Sequence, residues 1–371
     1  LLAADFTVTN ASDDASTAGS LRCAIEQANA TPGRNTIDFA DGITYIALDD
    51  ALVITDEVEI TGPLSPTGAP IVQLDGGGNG FDGFLVYADN SVIRGLSLTS
   101  FFNGIVLEGS GNRVEANYIG MTPAGVANNA HGMDWIGVLA LGNDNVIVAN
   151  TIVRAGWAGV SADGASGTVV GGATSAERNV LWGSTYGVEV FYADTTTILG
   201  NYIGVAANGE SAPAAGSSGV YLVGSTATTI TGNLIAGNGV DEIEIWDSTG
   251  TTVTNNVLGL TVSGQSPTFR GNDGISVYGD PTGPSSDTLI AGNLISGNGN
   301  NGVRISGASG VTVQGNLIGT DASGLTSDGD LENDAHGVGL EGGAHDNTIG
   351  GLAPGQGNVI AGSGSAGVFL L

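Results

Sequence analysis

The sequence predicts an all-β chain wound as a single-stranded, right-handed parallel β-helix, a solenoid with a short N-terminal capping helix. Three observations predict it. An Asn two residues ahead of an aliphatic recurs at Asn117, Asn150, Asn179, Asn201, Asn233, Asn256, Asn293, Asn316 and Asn358, about every 30 residues. Upstream of each copy a Gly opens a run of aliphatics two apart, as in Gly187-Val188-Glu189-Val190, Gly219-Val220-Tyr221-Leu222 and Gly302-Val303-Arg304-Ile305. A period of two marks strands. Glycine occurs 64 times in 371 residues, against a usual share of roughly 7%, so the backbone turns tightly and often.

The elements follow in order. Residues 1–41 form the cap, in which Ser20 precedes an amphipathic stretch from Leu21 to Ala30 that Pro32-Gly33 ends. A helix there covers the edge of the first coil, which would otherwise invite strand addition. Cys23 is read as a buried helix residue, and one cysteine excludes an internal disulfide. Residues 42–371 form the β-helix, continuous with the cap as one domain. Segments 43–48, 52–60, 71–74 and 84–98 supply the first coils. Gly104, Gly137, Gly159, Gly187, Gly219, Gly274, Gly302, Gly337 and Gly367 then open successive strands, with Glu242 standing in for Gly in one copy. Long coils share a second motif, seen in 117–125, 201–209, 256–264 and 316–324, which predicts one family of loops. No unit has a helical period, so βαβ is excluded, and only stacking of coil on coil buries the aliphatics. The Asn column is read as a side-chain ladder at a tight bend, not as chemistry. Gly367 to Leu371 opens a strand with no cap behind it, an edge expected to be covered by further chain or another subunit.

Residues 19–39, GSLRCAIEQANATPGRNTIDF, resemble the CSLREA-type segment that opens many bacterial secreted repeat proteins. Gly19 replaces its Cys and Cys23 its Glu. The units ending NLIGTDASG, with NTIGGLAPGQGNVIAGSG at 347–364, are similar to the parallel β-helix repeats that follow it. The resemblance covers nearly the whole chain. It implies the pectate-lyase-like superfamily, export to the bacterial cell surface or beyond it, and a tie to polysaccharides without naming a reaction.

Charge narrows the partners. With 37 acidic residues against 8 basic ones the formal charge is −29, every cation is Arg, and nothing could neutralise a string of phosphates. Nucleic acid is excluded. No apolar run approaches the ~20 residues that a membrane helix needs, so membrane insertion is not expected. The partner left is a polysaccharide or glycan.

Residues two and four after each anchor point outward and form columns about 4.8 Å apart per coil. The first column contains Ser161, Glu189, Tyr221, Glu244, Ser276 and Arg304, and the second Asp163, Phe191, Trp246, Tyr278 and Glu341. Just before the anchors stand Trp135, Trp157, Tyr186, Asp273 and His336. Three of the four tryptophans map to this face, with Trp182 outside it. Sugars stack C–H faces on aromatic rings while carboxylates and Arg bind their hydroxyls, so this face is expected to be a glycan groove. Trp135, Trp157, Tyr186, Phe191, Tyr221, Trp246, Asp273, Tyr278 and Arg304 are the expected binding residues. The alternative is that the rings pack against loops or a neighbouring subunit.

Glu189 and Glu244 share a column two coils apart, near the roughly 6.5–9.5 Å carboxyl spacing of inverting glycosidases. Trp246 beside Glu244 suggests a general acid, leaving Glu189 to activate water, with Asp163 the alternative partner. The expectation is acid/base hydrolysis of a neutral or weakly charged polysaccharide, with no cofactor required. The competing classes are a non-catalytic surface stalk or adhesin, and a Ca²⁺-assisted lyase or epimerase with Arg304 as the neutralising group and Tyr221 or His336 as base. Asn272-Asp273-Gly274-Ile275 is similar to a polygalacturonase motif. Tyr278-Gly279-Asp280-Pro281 is similar to an alginate-epimerase motif in which Thr282 replaces His, and the remaining motifs of both are missing. Asp328, Asp330, Glu332 and Asp334 alternate in one loop, and Asp328, Asp330 and Asp334 suit a hard cation such as Ca²⁺.

Overall fold

A computed structural model of the chain describes residues 3–127, 130–211, 216–279 and 285–371. Two units are formed, one from Leu1–Gly171 with Ala176–Asn179, the other from Gly172–Ser175 with Val180–Leu371. In both, short strands stack in parallel into three sheets, and the chain visits the third, first and second sheets in turn. In the first unit the third sheet is Leu52–Ile54, Phe84–Val86, Ile105–Leu107, Ile136–Ala140 and Ala158–Asp163. In the second unit it is Tyr186–Phe191, Ser218–Val223, Ile243–Trp246, Ile275–Tyr278, Val303–Ser306, His336–Glu341 and Ala366–Leu370.

The period of two places every second side chain inside. Val188, Val190, Val220, Leu222, Ile243, Ile245, Ile275, Val277, Val303 and Ile305 are all fully buried. Their neighbours alternate to the outer face, as the spacing predicts.

The corners are held by side-chain amides. Asn201 N–H donates to Asn233 Oδ1 (2.9 Å), Asn233 to Asn256 (2.9 Å), Asn256 to Asn293 (2.9 Å), Asn293 to Asn316 (2.9 Å) and Asn316 to Asn358 (2.9 Å). Asn117, Asn150 and Asn179 repeat the pattern in the first unit. A buried amide meets its bonding groups in this way while satisfying backbone groups of the bend, as Asn233 Nδ2 does at Ile198 O and Thr231 O. The residue before most ladder Asn residues has positive φ: Gly200, Gly232, Gly292 and Gly315 suit it, while Ala116, Ala149 and Asn255 adopt it at φ 55°, 58° and 55°. A shorter ladder that the repeat does not reveal runs from Asn298 to Asn333, whose Oδ1 accepts the Asn298 N–H (3.1 Å) and Nδ2 (2.9 Å).

The capping helix is Leu21–Asn29, with Ser20 Oγ accepting the Cys23 N–H as N-cap. It buries Leu21, Ala24, Ile25 and Ala28. Cys23 is half-buried, not buried, because it stands about 200° around the helix from Leu21, away from that stripe. Its sulfur instead accepts from Gln27 Nε2 (3.1 Å). Asn29 Nδ2 donates to Val53 O (2.8 Å) and its Oδ1 accepts Thr55 N–H (2.9 Å), so the helix supplies partners to the edge strand Leu52–Ile54.

Candidate functional site

On the outer face of the third sheet of the second unit, pairing register lines up Glu189, Tyr221, Glu244, Ser276, Arg304 and Gly339. A second file beside it holds Phe191, Val223, Trp246, Tyr278, Ser306 and Glu341. Both agree with the columns read from the repeat.

Glu244 is held by two donors. Ser218 Oγ–H reaches one carboxylate oxygen (2.7 Å) and Trp246 Nε1–H the other (2.7 Å), so the carboxylate is fixed in orientation. The Trp246 ring stacks on Tyr278 with centroids 4.2 Å apart. Tyr186 stacks on Tyr221 at 4.4 Å, and both phenols lie in the field of Glu189 and Glu244. Burial first, then that negative field, pushes Tyr221 up to about 12. These rings cover one face of each other at van der Waals distance, so a sugar cannot enter between them. What they offer outward is edges, hydroxyl groups and the faces at the ends of each pair. Glu189 is only 7% exposed, so it is outward in register yet largely covered.

Arg304 is bound on both sides, by Glu341 and by the Tyr278 hydroxyl, which accepts from Nη1 (3.1 Å). Burial works to lower its pKa, but the Glu341 hydrogen bond and nearby negative charge leave it raised. Next to Ser276 lies a buried pair of acids. Asp273 is fully buried; its Oδ1 accepts from Asn300 Nδ2 (2.8 Å), Asn301 N–H (2.7 Å) and Asn301 Nδ2 (2.9 Å). Asp241 Oδ1 accepts the Asp273 N–H (2.9 Å), and the Ser276 hydroxyl reaches Asp273 Oδ2 (3.2 Å). Burial, with Asp273 and Glu244 nearby, pushes Asp241 up to about 6. Asp273, expected to touch substrate, instead braces the turn beneath Ser276.

In the first unit the third sheet carries a different arrangement. Phe102, Trp135 and Trp157 form a continuous stack, at 6.5 Å and 3° between the first two rings and 5.1 Å and 9° between the last two. Asp163 ends the strand Ala158–Asp163 half-buried, and burial raises its pKa.

Residues 82–258 and 136–370 match the model of the right handed beta helix region. The chain belongs to this right-handed β-helix family. No curated protein matches it. Among solved structures, it is similar to the Dettilon tailspike protein, at 17% identity over 84% of this chain and 67% of that one, with a TM-score of 0.57. It is also similar to a DFA-IIIase variant from Arthrobacter chlorophenolicus A6 in complex with DFA-III, at 14% identity over 93% and 94% of the two chains, with a TM-score of 0.53. A third likeness is to the A-module of the mannuronan C-5 epimerase AlgE4 from Azotobacter vinelandii, at 13% identity over 96% and 100%, with a TM-score of 0.51. Identities this low establish the β-helix and leave the chemistry to the site.

In this β-helix the acidic loop does not gather. Asp328, Asp330 and Asp334 are exposed, Asp334 pairs with Arg270 (3.1 Å), and no metal-holding group of three acids, His or Cys occurs among the described residues. The epimerase-like motif lies partly outside the described residues, which omit Asp280, Pro281 and Thr282. No described helix is long and apolar enough to cross a membrane. Sequence reading missed Asp241, Ser218 and Phe102. The available signal for Asp241 was its neighbour Glu242, the one acid at an anchor position reserved elsewhere for Gly.

Proposed function

We propose that the chain is a carbohydrate-active β-helix protein that hydrolyses a neutral or weakly charged polysaccharide along the outer third-sheet face of its second unit. The observation that carries this reading is the single file Glu189, Tyr221, Glu244, Ser276 and Arg304, flanked by the paired rings. Glu189 and Glu244 stand two strand spacings apart, roughly 10 Å along the stack, a gap that a glycosidic bond and a water can occupy. The two hydrogen bonds onto Glu244 suit an ionised carboxylate, which favours Glu244 as the base orienting water and Glu189 as the proton donor. That is the reverse of the assignment from Trp246 proximity alone. Asp163 belongs to the other unit and takes no part in this reading, and Ca²⁺ is not needed for it. Export to a bacterial surface or beyond fits the CSLREA-like segment and a polymeric substrate.

Two observations weigh against elimination chemistry. Tyr221, at about 12, stays a neutral phenol and is a poor base, and Arg304 is already neutralised by Glu341. The reading that competes is binding without cleavage, favoured by ring pairs whose stacking gives them a structural role of their own. A glycan array combined with a reducing-end assay tests the proposal. New reducing ends from a bound glycan support hydrolysis. Binding without new ends supports the adhesin, and unsaturated products support the lyase.

A further inference from the structure

Glu242 occupies the anchor position that is Gly in the neighbouring coils (Gly219 and Gly274), and it is fully buried. A carboxyl group there needs a reason, because burying an unpaired charge is among the costliest substitutions a core can carry. The short Asn ladder supplies one. Along this corner, the pairing of Ile243 with Ile275 and of Ile275 with Val303 registers residues 239, 271 and 299 on successive coils. The ladder positions just before them are therefore Asn238, Arg270 and Asn298. Arg270 breaks the ladder, since its guanidinium turns to Gly297 O, Asn298 O, Glu332 O and Asp334.

Glu242 reaches into the vacated slot. Its Oε2 accepts from Asn238 Nδ2 (2.5 Å), as Asn333 Oδ1 accepts from Asn298 Nδ2 (2.9 Å) one step further along. A Cβ on Gly271 would come within 2.7 Å of Glu242 Oε1, so the glycine keeps the slot open. Two buried oxygens are then left without a donor: Glu242 Oε1 and Asn298 Oδ1. Both are acceptors while Glu242 is ionised. A proton on Oε1 turns the first into a donor, the kind of group that a ladder amide supplies at this corner.

We infer that Glu242 is held in the β-helix as a neutral acid, completing the interrupted Asn ladder and positioning the turn that leads into the strand bearing Glu244 and Trp246. The ionisable groups on the turns packed around it are Asp241 on its own turn and Arg270 and Asp273 on the next, while turn 297–301 carries none. Asp241 adds negative charge, and Arg270 is directed away to Asp334. Burial above all pushes Glu242 up to about 8, against an ordinary value of 4.5. The acid thus binds its proton in the folded chain at pH values where the unfolded chain releases it. The stabilisation is complete below the ordinary glutamate value and is lost as pH rises through about 8.

The test is thermal unfolding of the full chain between pH 5 and pH 10, for wild type and Glu242→Gln, whose amide supplies the same donor and acceptor at every pH. The wild-type Tm should fall by several degrees more than that of Glu242→Gln as pH rises, with the two within roughly 2 °C of each other at pH 5. Parallel curves overturn the inference. Should the variant not fold, infrared spectra of the wild type decide: a protonated-carboxyl band at pH 7 that disappears by pH 10 is expected, and no such band at pH 7 overturns it. Asp241→Asn should leave a protonated-carboxyl band at pH 7, and its loss there would assign the proton to Asp241 instead.

Discussion

The third sheets of the two units differ in what they display on the same backbone. In Leu1–Gly171 the outward positions Val106, Leu139 and Ser161 lie beside one another, and the rings Phe102, Trp135 and Trp157 form a stack. In Val180–Leu371 the equivalent positions carry Glu189, Tyr221, Glu244, Ser276 and Arg304, each with hydrogen-bonding or charged neighbours. Stacking aromatics and a period of two are common to both, so they belong to the architecture. Paired carboxylates and an ion-paired Arg304 occur in one, so they are the part on which the proposed function rests. A solenoid permits this separation because each coil rests only on its neighbours and the outer face is free to vary.

The largest expected effect strikes what the two faces share. Ile245 lies between Glu244 and Trp246 in sequence but points into the core, where it is fully buried. Ile245→Ala should cost about 2–5 kcal/mol in urea unfolding, and Val160→Ala in the other unit about 1–3 kcal/mol. If Ile245→Ala costs less than ~0.5 kcal/mol, the register that places Glu244 outside is wrong. Next comes the difference between the faces. Glu244→Gln should lower turnover of an identified glycan by about 10² or more with little change in Tm, whereas Asp163→Asn should change it by less than about threefold. Equal losses would place the chemistry on both units and dissolve the contrast.

How much of this was legible follows from what repeats. The inward aliphatics, the Asn ladder and the outward columns recur coil after coil, so periodicity alone exposed them. Single departures were not legible in the same way. Asp273 read as a substrate-binding residue on the outer face, but the turn at Asn300 and Asn301 closes over it. Trp246 suggested a sugar platform, but its ring lies on Tyr278 and its N–H on Glu244, contacts that no single repeat announces. Three alternating aspartates read as a cation loop, and their divergence, with Asp334 drawn to Arg270, depends on a contact 64 residues away in sequence.

A smaller effect separates structural rings from binding rings. Trp246→Ala removes a donor to Glu244 and the ring stacked on Tyr278, and should weaken glycan binding by about 1–3 kcal/mol in titration calorimetry. Trp135→Ala, in the centre of the stack that has no paired acids, should leave that affinity within about 0.5 kcal/mol and act on unfolding instead. An affinity loss at Trp135 as large as at Trp246 would mean that both aromatic faces bind glycan.

The smallest expected effect discriminates between reactions. Tyr221 sits in the file between Glu189 and Glu244, and its ring is held against Tyr186. Tyr221→Phe keeps the stack and removes only the hydroxyl. Because burial and the two glutamates push the phenol up to about 12, it carries its proton throughout the neutral range. In a hydrolase its work is then confined to a hydrogen bond, and turnover should change by less than about threefold. In a lyase that used Tyr221 as the base, the same change would remove the proton acceptor and cost about 10² or more. Measuring kcat for Tyr221→Phe beside Glu244→Gln on one substrate therefore tells which of the two neighbouring side chains in the file accepts the proton.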